Sequence, residues 1–222
     1  MRPALSRAGL IAGGLALAVG LGFGAAQVLG GGARVDGSPS QAAPTAARGL
    51  PSTVTQLSRT TGLDRLLGER NHAIARHDPA AWMQTVDLSD RAFAAQQRGL
   101  FATISALPVQ TWTYRSGGAG PELPDSAATA RGGQDAWIAR VVLTYRLAGF
   151  DRAVVTRDAY PTVVLRSGRW LLAGDRDAVA AGQPGQPEVW DLGPTTVVRG
   201  ARSLVVGRLP RAVLAQRAAE AA

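Results

Sequence analysis

Ala136-Trp137-Ile138-Ala139-Arg140-Val141-Val142-Leu143-Thr144-Tyr145-Arg146-Leu147 is the clearest strand in this chain of 222 residues. Its odd positions, Trp137, Ala139, Val141, Leu143, Tyr145 and Leu147, are almost all apolar, while its even positions include Arg140, Thr144 and Arg146. Successive side chains of a strand point to opposite faces, so this alternation marks an antiparallel strand buried on one side. A long strand with one greasy face needs partners beside it and helices across it.

Both are legible on either side. Downstream, Thr156 to Arg166 reads as a further strand in which Pro161 implies an edge or a bulge, because proline has no N–H for a ladder. Ser167-Gly168 turns that strand, and Arg169 to Ala173 returns as its hairpin partner. Upstream, Val109 to Arg115 alternates and holds Trp112 and Tyr114, and residues 116–133, rich in Gly, Pro and Ala, read as a long loop. From Thr61 the pattern turns helical. Leu63, Leu66, Leu67, Arg70 and Ile74 recur at three- and four-residue steps, with Thr61 or Asp64 as the cap. His77-Asp78-Pro79 breaks that helix and starts a short one, Ala80 to Val86, that carries Trp82. Asp87-Leu88-Ser89-Asp90 opens a third, Arg91 to Ala106, ended by Pro108. The expected class is α+β: three helices packed on one face of a curved antiparallel sheet. Beyond it, Thr195 to Arg199 and Ser203 to Val206 read as a strand pair around Gly200-Ala201, and Pro210 to Ala222 as a helix.

The first residues carry a different message. Ala8 to Gly32 contains no charge and one amide, Gln27, behind Arg2 and Arg7. A run of 25 residues at about 1.5 Å each spans about 37 Å as a helix, more than the roughly 30 Å hydrocarbon core of a bilayer. The flanking arginines put its C-terminal side outward. Two readings stand: an uncleaved transmembrane anchor, giving a single-pass protein with an extracytoplasmic domain, or a signal peptide cut after Gly24-Ala25-Ala26 and a secreted product. Residues 33–56, small and Pro-containing, read as a flexible linker. The division expected is therefore residues 1–32 as signal or anchor, 33–56 as linker, 57–180 as the α+β domain and 181–222 as a C-terminal extension of strand pair and helix.

Composition narrows the chemistry. The chain has no Cys, so it folds without disulfides and carries no thioether lipid. All 24 basic residues are Arg, which together with abundant Ala, Gly, Val and Pro reads as the codon usage of a GC-rich genome. The net charge of +8 divides into +3 for residues 1–49, four Arg against one Asp, and +5 for residues 50–222, twenty Arg against fifteen acids. Arg and acid are interspersed along the domain with no basic block, so nucleic acid is not an expected partner, and loose attraction to anionic lipid or wall polymer is.

The order helix–helix–helix then twisted antiparallel sheet, closing on Val163-Val164-Leu165-Arg166-Ser167-Gly168-Arg169-Trp170-Leu171-Leu172, resembles the cone-shaped nuclear-transport-factor-2-like fold over residues 57–180. Tyr145-Arg146-Leu147-Ala148-Gly149-Phe150-Asp151, Gly168-Arg169-Trp170, Trp190-Asp191-Leu192-Gly193-Pro194 and Ser203-Leu204-Val205-Val206-Gly207 are similar to the N-terminal region of actinobacterial membrane-anchored proteins in which such a domain precedes a gluzincin-type peptidase-like domain. That resemblance implies an accessory domain with a peptidase-like protein partner. The peptidase activity does not carry over, because no His-Glu-x-x-His is present and the two histidines, His72 and His77, both lie upstream. Homodimerisation through the open sheet face is a property of the resembled fold.

Candidate sites are few. A cone-like fold holds a pocket between helices and sheet, and Trp82, Trp112, Tyr114, Trp137, Tyr145 and Trp170 are the residues to line it, either as plain core or around a small apolar ligand, with Tyr145 the one ionisable group on the central strand's inward face. An isomerase- or hydrolase-like activity on the same fold would need an ionisable group there. Arg140, Arg146 and Arg166 are candidates for binding lipid heads or wall polymer. Glu69-x-x-His72 has the spacing of a di-iron ligand pair but lacks the second copy such sites need. Asp175 and Asp177 form a turn or an acid–base pair. No catalytic residue, metal site or cofactor is expected, and the reading is of a non-enzymatic domain that binds or positions something outside the membrane.

Overall fold

The computed structural model describes residues 53–133 and 135–221. The apolar run and nearly all of the linker lie outside them. Among the described residues no helix is long and apolar enough to cross a membrane.

Three helices lead, as expected: α1 (Thr53–Ala75), α2 (Pro79–Met83) and α3 (Arg91–Ala106). α1 extends N-terminal of the expected start at Thr61, so Thr61 and Asp64 are interior rather than caps, and residues 53–56 of the expected linker are helical. Its buried stripe is Leu63, Leu66, Leu67, Arg70, Ala73 and Ile74. It ends where His77 takes a left-handed φ of 52° and the Asp78 amide donates back to the Ala73 carbonyl, 2.9 Å away. Asp78 then caps α2 by accepting from the amides of Ala80 and Ala81, with Pro79 in the first turn. α2 stops at Met83, short of the expected Val86. Residues 85–87 turn extended instead, and Leu172 exchanges backbone hydrogen bonds with Thr85 and Asp87. Asp90 caps α3 through the Phe93 amide at 3.0 Å.

The sheet is antiparallel and strongly curved. β1 (Val109–Ala119) pairs with β2 (Asp135–Leu147), and β2 pairs on its other edge with β3 (Val155–Ala159) and β4 (Thr162–Arg166); β4 pairs with β5 (Arg169–Gly174). β1 runs past the expected Arg115 and is bulged near Gln110 and Gly117, which bends it along β2. The single strand expected from Thr156 to Arg166 is two. Their pairing with β2 nevertheless keeps one register, from Tyr145↔Val155 to Asp135↔Leu165. Pro161 sits in the interruption. Its carbonyl accepts from the Ala139 amide at 2.9 Å, but it has no N–H to return. The ladder breaks there, at the point where β3, an edge strand, gives way to β4, flanked on both sides. Ser167 and Gly168, both at positive φ, make the two-residue turn to β5.

The stretch expected as loop contains a helix, α4 (Asp125–Arg131). With the short α5 (Asp177–Ala180) it covers part of the second face of the sheet, where Leu123, Ile138 and Ala178 are buried together. The odd positions of β2 from Trp137 to Leu147 are all buried, as their alternation requires. They split between two adjoining clusters. One joins Trp137, Ala139 and Val141 to Leu63, Leu66, Leu67 and Phe93; the other joins Leu143, Tyr145 and Leu147 to Trp82, Phe101, Ile104, Trp112 and Trp190.

β6 (Thr196–Arg199) and β7 (Leu204–Gly207) form the expected hairpin, and α6 (Arg211–Glu220) seats Leu214 and Ala218 against Val198. Val197, Leu204 and Val206 pack against the cluster that holds Trp190. The expected boundary at residue 180 therefore falls within a continuous core.

Candidate functional site

Four of the six pocket candidates meet. α2 delivers Trp82, the bent β1 delivers Trp112 and Tyr114, and β2 delivers Tyr145. Trp112 stacks on Tyr145 with ring centroids 5.2 Å apart, Trp112 meets Tyr114 edge-on at 6.3 Å, and Trp82 packs against Phe101 and Tyr114. The group is closed by Trp190 from the segment between α5 and β6, 5.9 Å from Trp112 and 5.7 Å from Tyr145. Trp137 lies in the neighbouring cluster, with the Arg59 guanidinium 5.6 Å from its ring centroid. Trp170, half-buried on β5, packs against that same cluster where β5 meets α1. Its ring occupies the space where a Cβ on Gly62 would be, and it lines an open groove of about 420 Å³ with Leu57, Arg65, Glu69 and Arg169.

The polar member of the aromatic group is Arg70, a residue on the buried stripe of α1 and 3% exposed. Its guanidinium stacks on Trp82, 3.4 Å from the ring centroid, and lies 5.6 Å from that of Tyr114. It donates to Thr85 Oγ1 and Gln97 Oε1, each at 2.8 Å. Burial pulls its pKa down to about 10, which leaves it a cation at neutral pH. Burial likewise pushes the Tyr114 hydroxyl up, so it stays protonated. Trp82 Nε1 donates to the Gln97 carbonyl at 3.0 Å, whereas the indole N–H groups of Trp112, Trp137 and Trp190 have no acceptor among the described residues.

Carboxylates rim the group on one side. The Tyr145 hydroxyl donates to Glu188 Oε1 at 3.0 Å, and Arg157 pairs with the same oxygen at 2.8 Å. Burial, then the Glu188 charge, pushes the Tyr145 hydroxyl well above the usual phenol range, the reverse of what a tyrosine base needs. Asp191 Oδ2 accepts from the Glu188 amide at 2.9 Å. Burial pushes the Asp191 carboxyl up to about 6, with the charges of Asp175 and Glu188 adding to it. Gln96 Nε2 links the two sides, donating to Asp175 Oδ2 and to the Asp191 carbonyl. Burial raises the Asp175 pKa as well.

Asp175 and Asp177 are not a pair. Asp177 accepts from Arg131 and from Thr162, while Asp175 faces Gln96. Glu69 takes Arg65 and Arg169 rather than joining His72. Among the described residues, no group of three His, Cys, Asp or Glu side chains is arranged to hold a metal ion. The three arginines suggested for surface binding are engaged elsewhere. Arg140 pairs with Asp158 at 2.9 Å, Arg166 pairs with Asp87 at 2.6 Å, and Arg146 donates to the Asp151 carbonyl.

Arg70 and Glu188 are functional-site residues that sequence reasoning did not single out, and Trp190 and Asp191 stood there only within the Trp190-Asp191-Leu192-Gly193-Pro194 stretch of the resemblance. The signal for Arg70 was present: a charge standing four residues after Leu66 and four before Ile74, inside an apolar stripe. Nothing local marks Trp190 as a member of the aromatic group, because its neighbours there are 45 and 78 residues away in the chain. No known protein family, curated protein or solved structure matches this chain.

Proposed function

We propose that this chain is a non-enzymatic domain held at the outer face of a cell membrane, where it binds or positions a protein partner. The observation that carries the reading is the occupancy of the space between α1–α3 and the sheet. Trp82, Trp112, Tyr145 and Trp190 fill it, and the ionisable groups beside them serve as structural partners: Arg70 to Thr85 and Gln97, Tyr145 to Glu188, Glu188 to Arg157. A general acid or base needs reach to a substrate atom and a pKa near the working pH. Tyr145, the ionisable candidate on that inward face, has neither. Asp191 has the pKa, but its carboxylate is turned to a backbone amide.

The three leading helices and the curved antiparallel sheet are consistent with a nuclear-transport-factor-2-like cone, and we read the fold so. The location is argued from Ala8 to Gly32 behind Arg2 and Arg7, an uncharged run long enough to span a bilayer. A peptidase-like protein is the partner proposed, and a His-Glu-x-x-His in a neighbouring reading frame would supply it. Expression of the full chain followed by alkaline extraction of membranes and protease shaving of intact cells tests the location. Retention in the extracted membrane with the domain shaved from outside is the expected result. A domain protected from the protease in intact cells overturns it, and N-terminal sequencing of the mature product separates a retained anchor from a cleaved signal.

A further inference from the structure

The positive charge of the described domain is concentrated at one end. Residues 195–221 hold five arginines against one acid, Glu220. Residues 53–194 hold the remaining fifteen arginines against fourteen acids, which is close to balance. Arg199, Arg202, Arg208, Arg211 and Arg217 are all exposed. Arg217 alone has a carboxylate partner among the described residues, Glu220 at 3.4 Å. Arg199 and Arg211 reach only backbone carbonyls, those of Ala106 and Val197. Of the fifteen arginines in residues 53–194, seven are met by acids, among them Arg59–Asp135, Arg131–Asp177, Arg140–Asp158, Arg157–Glu188 and Arg166–Asp87.

The same end presents apolar side chains to solvent. Leu209 is 56% exposed and Val213 39%. α6 turns Leu214 and Ala218 inward, so the face opposite them carries Ala212, Val213, Gln216, Ala219 and Glu220, with Arg217 beside Val213 and Arg211 nearer the buried side. Exposed Leu209 and Val213, with Arg208 beside the first and Arg217 one helical turn from the second, make a patch that rests on the headgroup layer, the stems of the arginines running along the apolar boundary while their guanidinium groups meet phosphate.

We propose that the β6–β7–α6 unit is a membrane-contact surface for anionic phospholipid, which lays this end of the domain against the bilayer. The proposal rests on the reading that the chain is held at a membrane. It replaces Arg140 and Arg166 as the lipid-facing group, because those two are paired with Asp158 and Asp87 within the fold.

The chain has no cysteine, so Val213→Cys creates a single labelling position in the full-length protein. A polarity-sensitive dye there is followed in vesicles of phosphatidylcholine and in vesicles where phosphatidylglycerol replaces part of it, both carrying a lipid-borne quencher. Each arginine near an anionic surface shifts the docked population by roughly fivefold. Quenching at position 213 is therefore expected on the anionic vesicles, to be weakened by high salt, and to fall to the neutral-vesicle level in a chain also carrying R199Q, R202Q, R208Q and R211Q. A dye at Ala130→Cys on α4 is expected to stay unquenched. Equal quenching on the two vesicle types, or quenching indifferent to salt in the parent chain, overturns the proposal. So does complete displacement by a soluble anionic wall polymer at the same phosphate concentration, which would assign the unit to the polymer. Sedimentation with vesicles in high salt reports the apolar run instead, so failure of the anchor and failure of the contact surface are read separately.

Discussion

The Arg70 guanidinium lies 3.4 Å from the centroid of the Trp82 ring, and its hydrogen-bond acceptors are the neutral side chains of Thr85 and Gln97. A buried cation held by a ring face and two neutral oxygens is a costly arrangement unless every member stays in place. α1, α2 and α3 each supply one or more of these groups, so the cation ties the three helices together beneath the sheet.

This coupling is measurable. Gln97→Leu removes an acceptor from a buried charge and is expected to destabilise by about 2–3 kcal/mol. Arg70→Met removes the charge but strands the Gln97 amide, at about 1–3 kcal/mol. The double variant is expected to lose at least about 1 kcal/mol less than the sum, because neither group is then left unpaired. Urea unfolding of the four chains gives the cycle. Strict additivity would show that the two side chains do not act as a unit.

Asp191 sets a pH dependence. Its carboxyl, at about 6 in the folded chain, is raised above its ordinary value of 3.8. Below that ordinary value both states are protonated and burial of the neutral acid is tolerated. As pH rises toward 6 and beyond, the unfolded chain releases the proton first, and stability falls. The loss by neutral pH is on the order of 2 kcal/mol. Asp191→Asn keeps an oxygen for the Glu188 amide and has no proton to lose. The difference in stability between the variant and the parent is expected to grow in the variant's favour between pH 4 and 7. A difference that is flat across that range would remove Asp191 from the account.

Gly62 and Trp170 test the contact between α1 and β5. A Cβ at position 62 would lie 1.8 Å from Trp170 Cδ1, far inside contact distance. Gly→Ala in a helix interior normally stabilises by about 1 kcal/mol. Here Gly62→Ala is expected to destabilise by about 1–3 kcal/mol through overpacking. In a Trp170→Ala background the same substitution is expected to revert to a gain. Thermal unfolding of the two pairs decides, and a gain in the parent background would mean that the ring is not held against the helix.

Trp190 is the closing member of the aromatic group. Trp190→Ala is expected to destabilise by about 3–5 kcal/mol, as large aromatic truncations in a core do. It should also open the face of Trp112 and Tyr145, read as new binding of an apolar fluorescent dye by the folded variant. Unchanged stability would place the segment 182–195 outside the core.

Much of this was readable in advance. Asp78-Pro79 and Asp90 mark the starts of α2 and α3 because a short carboxylate can take the free amides of a first helical turn, an interaction of neighbours in the chain. The alternation from Trp137 to Leu147 marks β2, and Ser167-Gly168 marks the turn of the β4–β5 hairpin, for the same local reason. α4 was missed because Asp125 to Arg131 buries little and its alanines carry no apolar stripe. The full length of α1 was missed because Val54 and Leu57 are exposed, so its first turns have no periodicity that burial would impose.

The candidate site was legible only in its aromatic members. Apolar periodicity, capping residues and the uncharged N-terminal run are properties of adjacent residues, and they are sufficient for the element types, the α+β class and the expectation of a membrane address. Which arginines are neutralised is a property of separated segments. Arg140 and Arg166 look exposed on alternating strands and are paired with acids in the fold, while Arg199, Arg202 and Arg208 look unremarkable and are left without acids. Charge pairing, like the closing of the aromatic group by Trp190, depends on distances across the folded chain, and those exist only once the sheet has curved and the helices have packed on it.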